Sequence, residues 1–69
     1  MQKKEADIPI WNKYLLSITE ASLLYHIGEN KLRMIVDEHP NADFIIMNGN
    51  RILLKRKKFE DFLENATVI

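Results

Sequence analysis

Hydrophobic residues recur at helical spacing between Ile18 and Glu38, and this pattern predicts two short helices joined by a tight turn. Three apolar residues share one face in each predicted helix: Ala21, Leu24 and Tyr25 in the first, and Leu32, Ile35 and Val36 in the second. Between them Gly28 reaches backbone conformations closed to other residues, so it can end the first helix or cap the second. The stretch is a candidate helix-turn-helix.

The first helix is expected to take Thr19 as its N-cap, because a threonine hydroxyl can accept hydrogen bonds from the unpaired amides of the first turn. Ile18 and Leu23 stand on either side of that cap, which suggests a hydrophobic staple. Glu20 suits the positive end of the helix dipole.

The exposed face of the second helix carries Asn30, Met34 and Asp37, and Lys31 and Arg33 flank it. An amide and two cations near the helix start are what a recognition helix needs, because its first side chains must reach base edges and phosphates in the major groove. An ordinary solvated helix has a similar composition, and this stretch alone does not separate the two interpretations.

A β-hairpin is predicted after His39-Pro40, which ends the second helix. Residues 44–47 and 51–54 are rich in Ile and Leu and flank Asn48-Gly49-Asn50, in which the Asn-Gly pair suits a type I′ turn. A two-residue loop at Asn48-Gly49 would place Ile46 opposite Arg51, whereas a three-residue loop with a bulge would shift the pairing. The sequence leaves this register open.

The remaining segments complete an α+β domain. Residues 14–18 favour a short N-terminal strand, and apolar residues at helical spacing predict a closing helix: Phe59, Phe62, Leu63 and Ala66. Residues 1–7 have no periodicity and are expected to be a loosely ordered arm. The prediction is therefore one domain over residues 1–69, a winged helix-turn-helix with a short N-terminal strand, a two-stranded wing and a closing C-terminal helix.

Trp11 brings more apolar area than any other residue in the chain and is expected to plug one end of the core. The alternative is that its ring stacks on a nucleic-acid base, which would require an exposed ring beside a basic groove.

The distribution of charge along the chain is more informative about nucleic-acid binding than the net charge is. The 69 residues have a formal net charge of zero, which by itself is poor support for binding nucleic acid. Half of the ten basic residues, however, lie between positions 48 and 58, where there is no acid: Arg51, Lys55, Arg56, Lys57 and Lys58. Such an asymmetry gives the chain a local cationic surface whatever its net charge.

Catalytic chemistry is not expected. The chain has no cysteine and only two histidines, and neither His26 with Glu29 nor His39 with Glu38 has a third or fourth metal ligand at a typical spacing. The two glycines stand apart, so there is no phosphate-binding loop. No enzyme activity, cofactor, metal or membrane span is expected, and the default location is the cytoplasm.

The segments TEAS, IGENKLR, IMNGNRI and KRK occur in this order and at a spacing that resembles the small excisionases of conjugative transposons, of the Tn916 type. The resemblance extends over nearly the whole chain, starting from DIPIW. In that family the fold is a compact winged helix, and the protein binds DNA near the transposon ends, bends it and helps a tyrosine-recombinase integrase to excise the element. The resemblance implies the same partners here.

The resemblance also implies which residues bind DNA. It places Asn30, Lys31 and Arg33 on the recognition helix, the segment from Asn48 through Asn50 to Arg51 at the wing tip, and Lys55, Arg56 and Lys57 in the basic run that follows. Relatives tend to carry a further basic residue where this sequence has Met34, so its preferred DNA site is expected to differ.

Two other functions suit the same residues. A transcriptional regulator with this fold would bind DNA alike, and a protein-interaction module would use the basic run to dock an acidic partner. Neighbouring copies on DNA are a further expected contact if the chain is an excisionase.

Overall fold

The structure, a computed structural model, describes residues 8–69, and the arm expected over residues 1–7 lies outside them. The elements in chain order are a 3-10 turn (Ile10–Asn12), β1 (Leu15–Ser17), α1 (Ile18–Tyr25), α2 (Glu29–Glu38), β2 (Ile45–Asn48), β3 (Arg51–Lys55) and α3 (Arg56–Glu64). Within this described part of the chain, no helix has the length and apolar character needed to cross a membrane.

The three strands form one antiparallel sheet in the order β1-β3-β2. The N-terminal strand therefore pairs with the second strand of the wing, and the three helices complete the fold. This arrangement confirms the predicted α+β winged helix with its extra strand and closing helix.

The wing turns at Gly49-Asn50, and not at Asn48-Gly49. Asn48 pairs with Arg51, and Ile46 faces Leu53 where the two-residue loop considered above would have placed Arg51. Gly49 has a φ of 63°, while the φ of Asn50 is not positive. A type II′ turn needs positive φ only at its first central residue, so glycine fills that position and no asparagine must adopt it. The two-residue shift keeps the same side chains on each face of the sheet.

The core lies between the sheet and the helices. Among the described residues, the buried hydrophobic side chains are Leu16, Ile18, Ala21, Leu32, Ile35, Val36, Phe44, Leu54 and Phe59. The predicted stripe of α2 is confirmed, and Leu24 and Tyr25 of α1 pack against this core from its edge. Phe44, Phe59 and Phe62 form an aromatic cluster with ring centroids 5.0–5.7 Å apart.

The cap of α1 is Ser17, so the expectation of Thr19 was wrong. The Ser17 hydroxyl accepts from the Glu20 amide at 3.1 Å, and a Glu20 carboxylate oxygen accepts from the Ser17 amide at 2.9 Å. This is a capping box, and Ser17 can form it because it ends β1 in an extended conformation. The predicted staple fails for the same reason, and Leu23 is 65% exposed.

Glu20 also forms an ion pair with Lys13, which lies just before β1. Partial burial by itself would raise the pKa of the Glu20 carboxyl, but hydrogen bonds from the Lys13 ammonium and from Ser17, with the Lys13 charge, hold that pKa below its usual value. The ionised carboxylate therefore fastens the start of α1 to the N-terminal segment.

The turn between α1 and α2 uses two residues for two purposes. His26 ends α1 in the left-handed region at a φ of 59°, which is uncommon for a residue with a side chain. Gly28 caps α2 at a φ of −59°, so only the second of its two expected roles is confirmed.

Trp11 does not plug the core. Its side chain is 63% exposed, and Ile10, the preceding residue of the same 3-10 turn, packs against the core. A single tight turn presents neighbouring side chains in different directions, so burying Ile10 directs the larger ring outward.

Replacing Ser17 by Ala should lower the free energy of unfolding by about 1 kcal/mol, because the Glu20 amide loses its acceptor. Thr19→Ala is the matched control and should change stability by less than about 0.5 kcal/mol. Urea denaturation followed by circular dichroism measures both. Equal losses in the two variants would contradict the observed cap.

The Glu20→Gln variant should lose about 0.5–1 kcal/mol of stability at neutral pH, because the amide cannot pair with the Lys13 charge. A carboxyl whose pKa is lowered by folding stabilises the folded state at pH values above its unfolded pKa. This stabilisation is lost as the pH falls through the folded pKa. The two proteins should therefore converge in stability once the pH has fallen through the lowered pKa of the Glu20 carboxyl. Glu64→Gln, an exposed control, should stay within about 0.5 kcal/mol of the native protein at neutral pH.

Candidate nucleic-acid interface

All four predicted DNA-binding side chains of α2 are exposed to solvent: Asn30, Lys31, Arg33 and Met34. They are positioned by Leu32, which lies among them and is completely buried. The acids Asp37 and Glu38 lie in the last turn, so the amide and the cations precede them along the helix. A helix that approached a duplex by its first turns would keep these acids farthest from the phosphates.

One side of the exposed face of α2 borders a groove, and the other side lies outside it. Lys31 and Met34 line an open groove of about 590 Å³ whose other wall includes Val68 and Ile69 from the C-terminal segment. Arg33 lies on the other side of the helix, outside this groove. Met34 is 47% exposed, so it contributes apolar surface at the groove edge. The helical pattern predicted the outward direction of these residues, but not the segment that flanks them.

Arg33 has an acidic neighbour one turn earlier. Its guanidinium Nη2 lies 3.7 Å from a carboxylate oxygen of Glu29, and both side chains are largely exposed. Exposed ion pairs at this spacing contribute little because water screens them and both side chains lose freedom. The guanidinium can therefore exchange Glu29 for a phosphate or a base at small cost.

The wing tip consists of exposed residues only. Asn48 and Arg51 are paired across the hairpin, which puts their side chains on the same face, and Gly49 and Asn50 form the turn beyond them. The wing tip thus offers two amides and one guanidinium at the end of a two-stranded ribbon.

The basic run is not one surface. Lys55 is the last residue of β3, four residues from Arg51, and this separation corresponds to about 13 Å along a strand. Both residues share the sheet face that points away from the core, because side chains alternate along a strand. The next three basic residues, 56–58, belong to the first turn of α3, which begins earlier than the sequence pattern indicated.

Arg56 is held inside the protein. Its Nε donates to the backbone carbonyl of Lys13 at 2.7 Å, its Nη1 lies 3.4 Å from a Glu60 oxygen, and its side chain is only 18% exposed. Its amide donates to the Tyr14 carbonyl at 2.7 Å. Arg56 therefore joins the N-terminal segment to α3, a structural role that the prediction of DNA binding missed. The i, i+4 spacing of Arg56 and Glu60 was the signal for it.

Tyr25 completes this connection. Its hydroxyl donates to a Glu60 carboxylate oxygen at 2.9 Å, and its ring packs against Phe59 with centroids 5.4 Å apart. Burial, followed by the hydrogen bond and charge of Glu60, raises the pKa of the Tyr25 phenol far above its usual value. The phenol therefore stays protonated and donates throughout the neutral range.

The other two cations at the start of α3 differ from Arg56. Lys57 and Lys58 are both exposed, and the Lys58 ammonium lies 3.9 Å from a carboxylate oxygen of the exposed Asp43. Of the cations in the predicted site, the described structure therefore exposes Lys31, Arg33, Arg51 and Lys57, and Lys55 is half-buried. They are distributed over α2, the wing and the start of α3.

Comparison with known proteins identifies one family. A family model described as "Excisionase from transposon Tn916" matches residues 1–69. A curated protein with the same description, from Streptococcus agalactiae serotype V, is 53% identical over 66 residues, covering 96% of this chain and 98% of that protein.

The Arg56→Gln variant should lose about 1–3 kcal/mol of unfolding free energy, because the Lys13 carbonyl and the Glu60 carboxylate lose a charged donor. Lys57→Gln removes one cation from the next position and should stay within about 0.5 kcal/mol. Thermal and urea denaturation of both variants provide the measurement. A loss in Lys57→Gln as large as that in Arg56→Gln would contradict the structural role assigned to the Arg56 contacts.

Proposed function

The chain belongs to the family of Tn916 excisionases, and we propose that it is a DNA-binding accessory factor that promotes excision of a transposon by a tyrosine-recombinase integrase. The observation that carries this proposal is the pairing of two exposed elements, the start of α2 and the wing tip, each with amide and guanidinium side chains. These groups recognise base edges and phosphates.

In this proposal the start of α2 enters the major groove. Asn30 and Arg33 can form paired hydrogen bonds with adenine and guanine edges respectively, and Lys31 neutralises a phosphate. Met34 would contact bases only through apolar surface, such as a thymine methyl group. The base preference at its position should accordingly differ from that of relatives with a cation there.

The wing supplies the second point of contact. Arg51, with Asn48 and Asn50, would enter the adjacent minor groove, and Lys55 and Lys57 would contact phosphates beside it. Arg56 is not included, because its guanidinium is engaged by Lys13 and Glu60.

The action we propose is architectural and not catalytic. Each copy would hold the duplex at two separated points, the start of α2 and the wing. Neighbouring copies bound along one face of the duplex can then bend it towards the protein. Bending a short site by 40–90° costs about 1–6 kcal/mol, which a few phosphate contacts per copy can supply. The bent site would then favour the integrase complex that excises the element. A transcriptional regulator with this fold would use the same surface, and excision is what distinguishes the two functions.

Arg33→Ala should reduce affinity for the cognate site more than for random duplex, with about 1–3 kcal/mol of lost discrimination. Glu29→Gln should raise affinity by up to about fivefold, because it removes an acid that competes with DNA for the same guanidinium. Fluorescence anisotropy at fixed salt measures both. If Arg33→Ala weakened both duplexes equally, Arg33 would contact only the backbone.

Purified protein should bend its site and increase the yield of excision in a reaction with the cognate integrase. Circularly permuted fragments of the transposon ends test the first effect by gel mobility, and recovery of excised circles tests the second. Uniform mobility across the fragments would refute bending. An excision yield independent of the protein would favour the regulator, and absence of affinity for duplex DNA would favour the protein-interaction module.

A further inference from the structure

Asn48-Gly49 at the wing tip has a reactivity that the DNA-binding role does not use. Of the six asparagines in the chain, only Asn48 is followed by glycine. The others precede lysine, arginine or alanine, whose side chains obstruct the approach of the backbone nitrogen to the asparagine amide. The chain therefore contains one sequence site at which asparagine can cyclise readily.

The chemistry needs only the chain and water. The backbone nitrogen of Gly49, after loss of its proton to a base, attacks Cγ of Asn48, a new C–N bond closes a five-membered succinimide, and the side-chain nitrogen leaves as ammonia. Water then opens the ring at either carbonyl. One product is an ordinary aspartate; the other is isoaspartate, in which the main chain passes through the former side chain. No oxidation or reduction takes place.

The structure leaves the nucleophile accessible. The Gly49 amide makes no hydrogen bond to another described residue, and a Cβ placed on Gly49 would meet no described heavy atom within 4 Å. Both residues are exposed, so solvent base and water reach them. Nothing in this described part of the chain shields the reacting atoms.

The same geometry sets the barrier. The attack requires rotation about the Asn48 Cα–C bond, and Asn48 is held by its pairing with Arg51. This pair is the last of the hairpin, so opening it disturbs no pair beyond it and no buried side chain. Fraying of the tip therefore provides the reactive conformation.

We propose that Asn48 is a site of spontaneous deamidation that converts the wing tip from a neutral to an anionic surface and so weakens duplex binding as the protein ages. The loss of binding rests on the proposed function, whereas the deamidation itself does not.

The product would act directly on the cationic group of the wing. The aspartate product would place a carboxylate across the hairpin from Arg51, where opposite charges attract and the guanidinium is drawn away from phosphate. Isoaspartate would in addition insert a methylene group into the end of β2 and disrupt the last pair. Both products carry one more negative charge than the native protein at neutral pH.

The modification is measured by incubating the full chain at mildly alkaline pH and mapping its peptides by mass spectrometry over time. Asn48 should react at least about tenfold faster than Asn41 and Asn65, because glycine offers the least steric and conformational resistance to ring closure. Asn48→Gln, which retains an amide but closes a ring less readily, should remove this product. Equal rates at Asn48 and Asn41 would overturn the proposal.

Its consequence is measured with a labelled random-sequence duplex. Aged native protein and fresh Asn48→Asp should bind about three- to tenfold more weakly than fresh native protein, with a salt slope shallower by up to about 0.9, whereas aged Asn48→Gln should match fresh Asn48→Gln. Bound duplex should also slow deamidation. Unchanged affinity after complete modification would overturn the switch, while absence of binding by fresh native protein would refute the proposed function and leave the peptide map as a separate result.

Discussion

The structure depends on the central strand β3 and above all on its completely buried residue Leu54. Leu54 stands between Leu16 of β1 and Ile45 of β2, and all three side chains point to the helices. A chain of this length buries a modest fraction of its surface, so few residues can anchor it. The wing is the solvent-exposed end of the hairpin that Leu54 holds in place, and its tip can therefore be polar without loss of stability.

The chain has a local cationic surface although its net charge is zero, because its basic residues have different roles. Lys13 and Arg56 are bound to partners within the protein and fix the N-terminal segment to α1 and α3. Lys31, Arg33, Arg51 and Lys57 are exposed on three elements, and Lys55 is half-buried. In the described part of the chain most of the acids lie at helix ends or on α3, so the separation of charge, and not its sum, governs which surface attracts a phosphate.

One residue, Gly49, determines both the conformation of the wing turn and its susceptibility to deamidation. Gly49 is required because the first position of the turn has a positive φ, which other residues adopt only with strain. Gly49 can adopt this conformation because it has no side chain. For the same reason, nothing on Gly49 obstructs the attack of its backbone nitrogen on the Asn48 side chain. Any variant that shields Asn48 by adding a side chain at Gly49 would strain the turn that presents Asn48 and Arg51.

The local pattern of the sequence determined the elements, because helix and strand periods and turn residues act over a few positions: the stripe of α2, the two wing strands and the outward direction of Asn30, Arg33 and Arg51 were all predictable. The cap at Ser17 and the wing register also rest on local features, which the prediction passed over: a capping box between Ser17 and Glu20, and a glycine at the turn position of positive φ. Only tertiary structure decided the exposure of Trp11 and the internal role of Arg56, because alternatives with similar local energies compete there. Contacts distant in sequence, such as that of Arg56 with Lys13, select between these alternatives, and the helix and strand periods contain no information about such contacts.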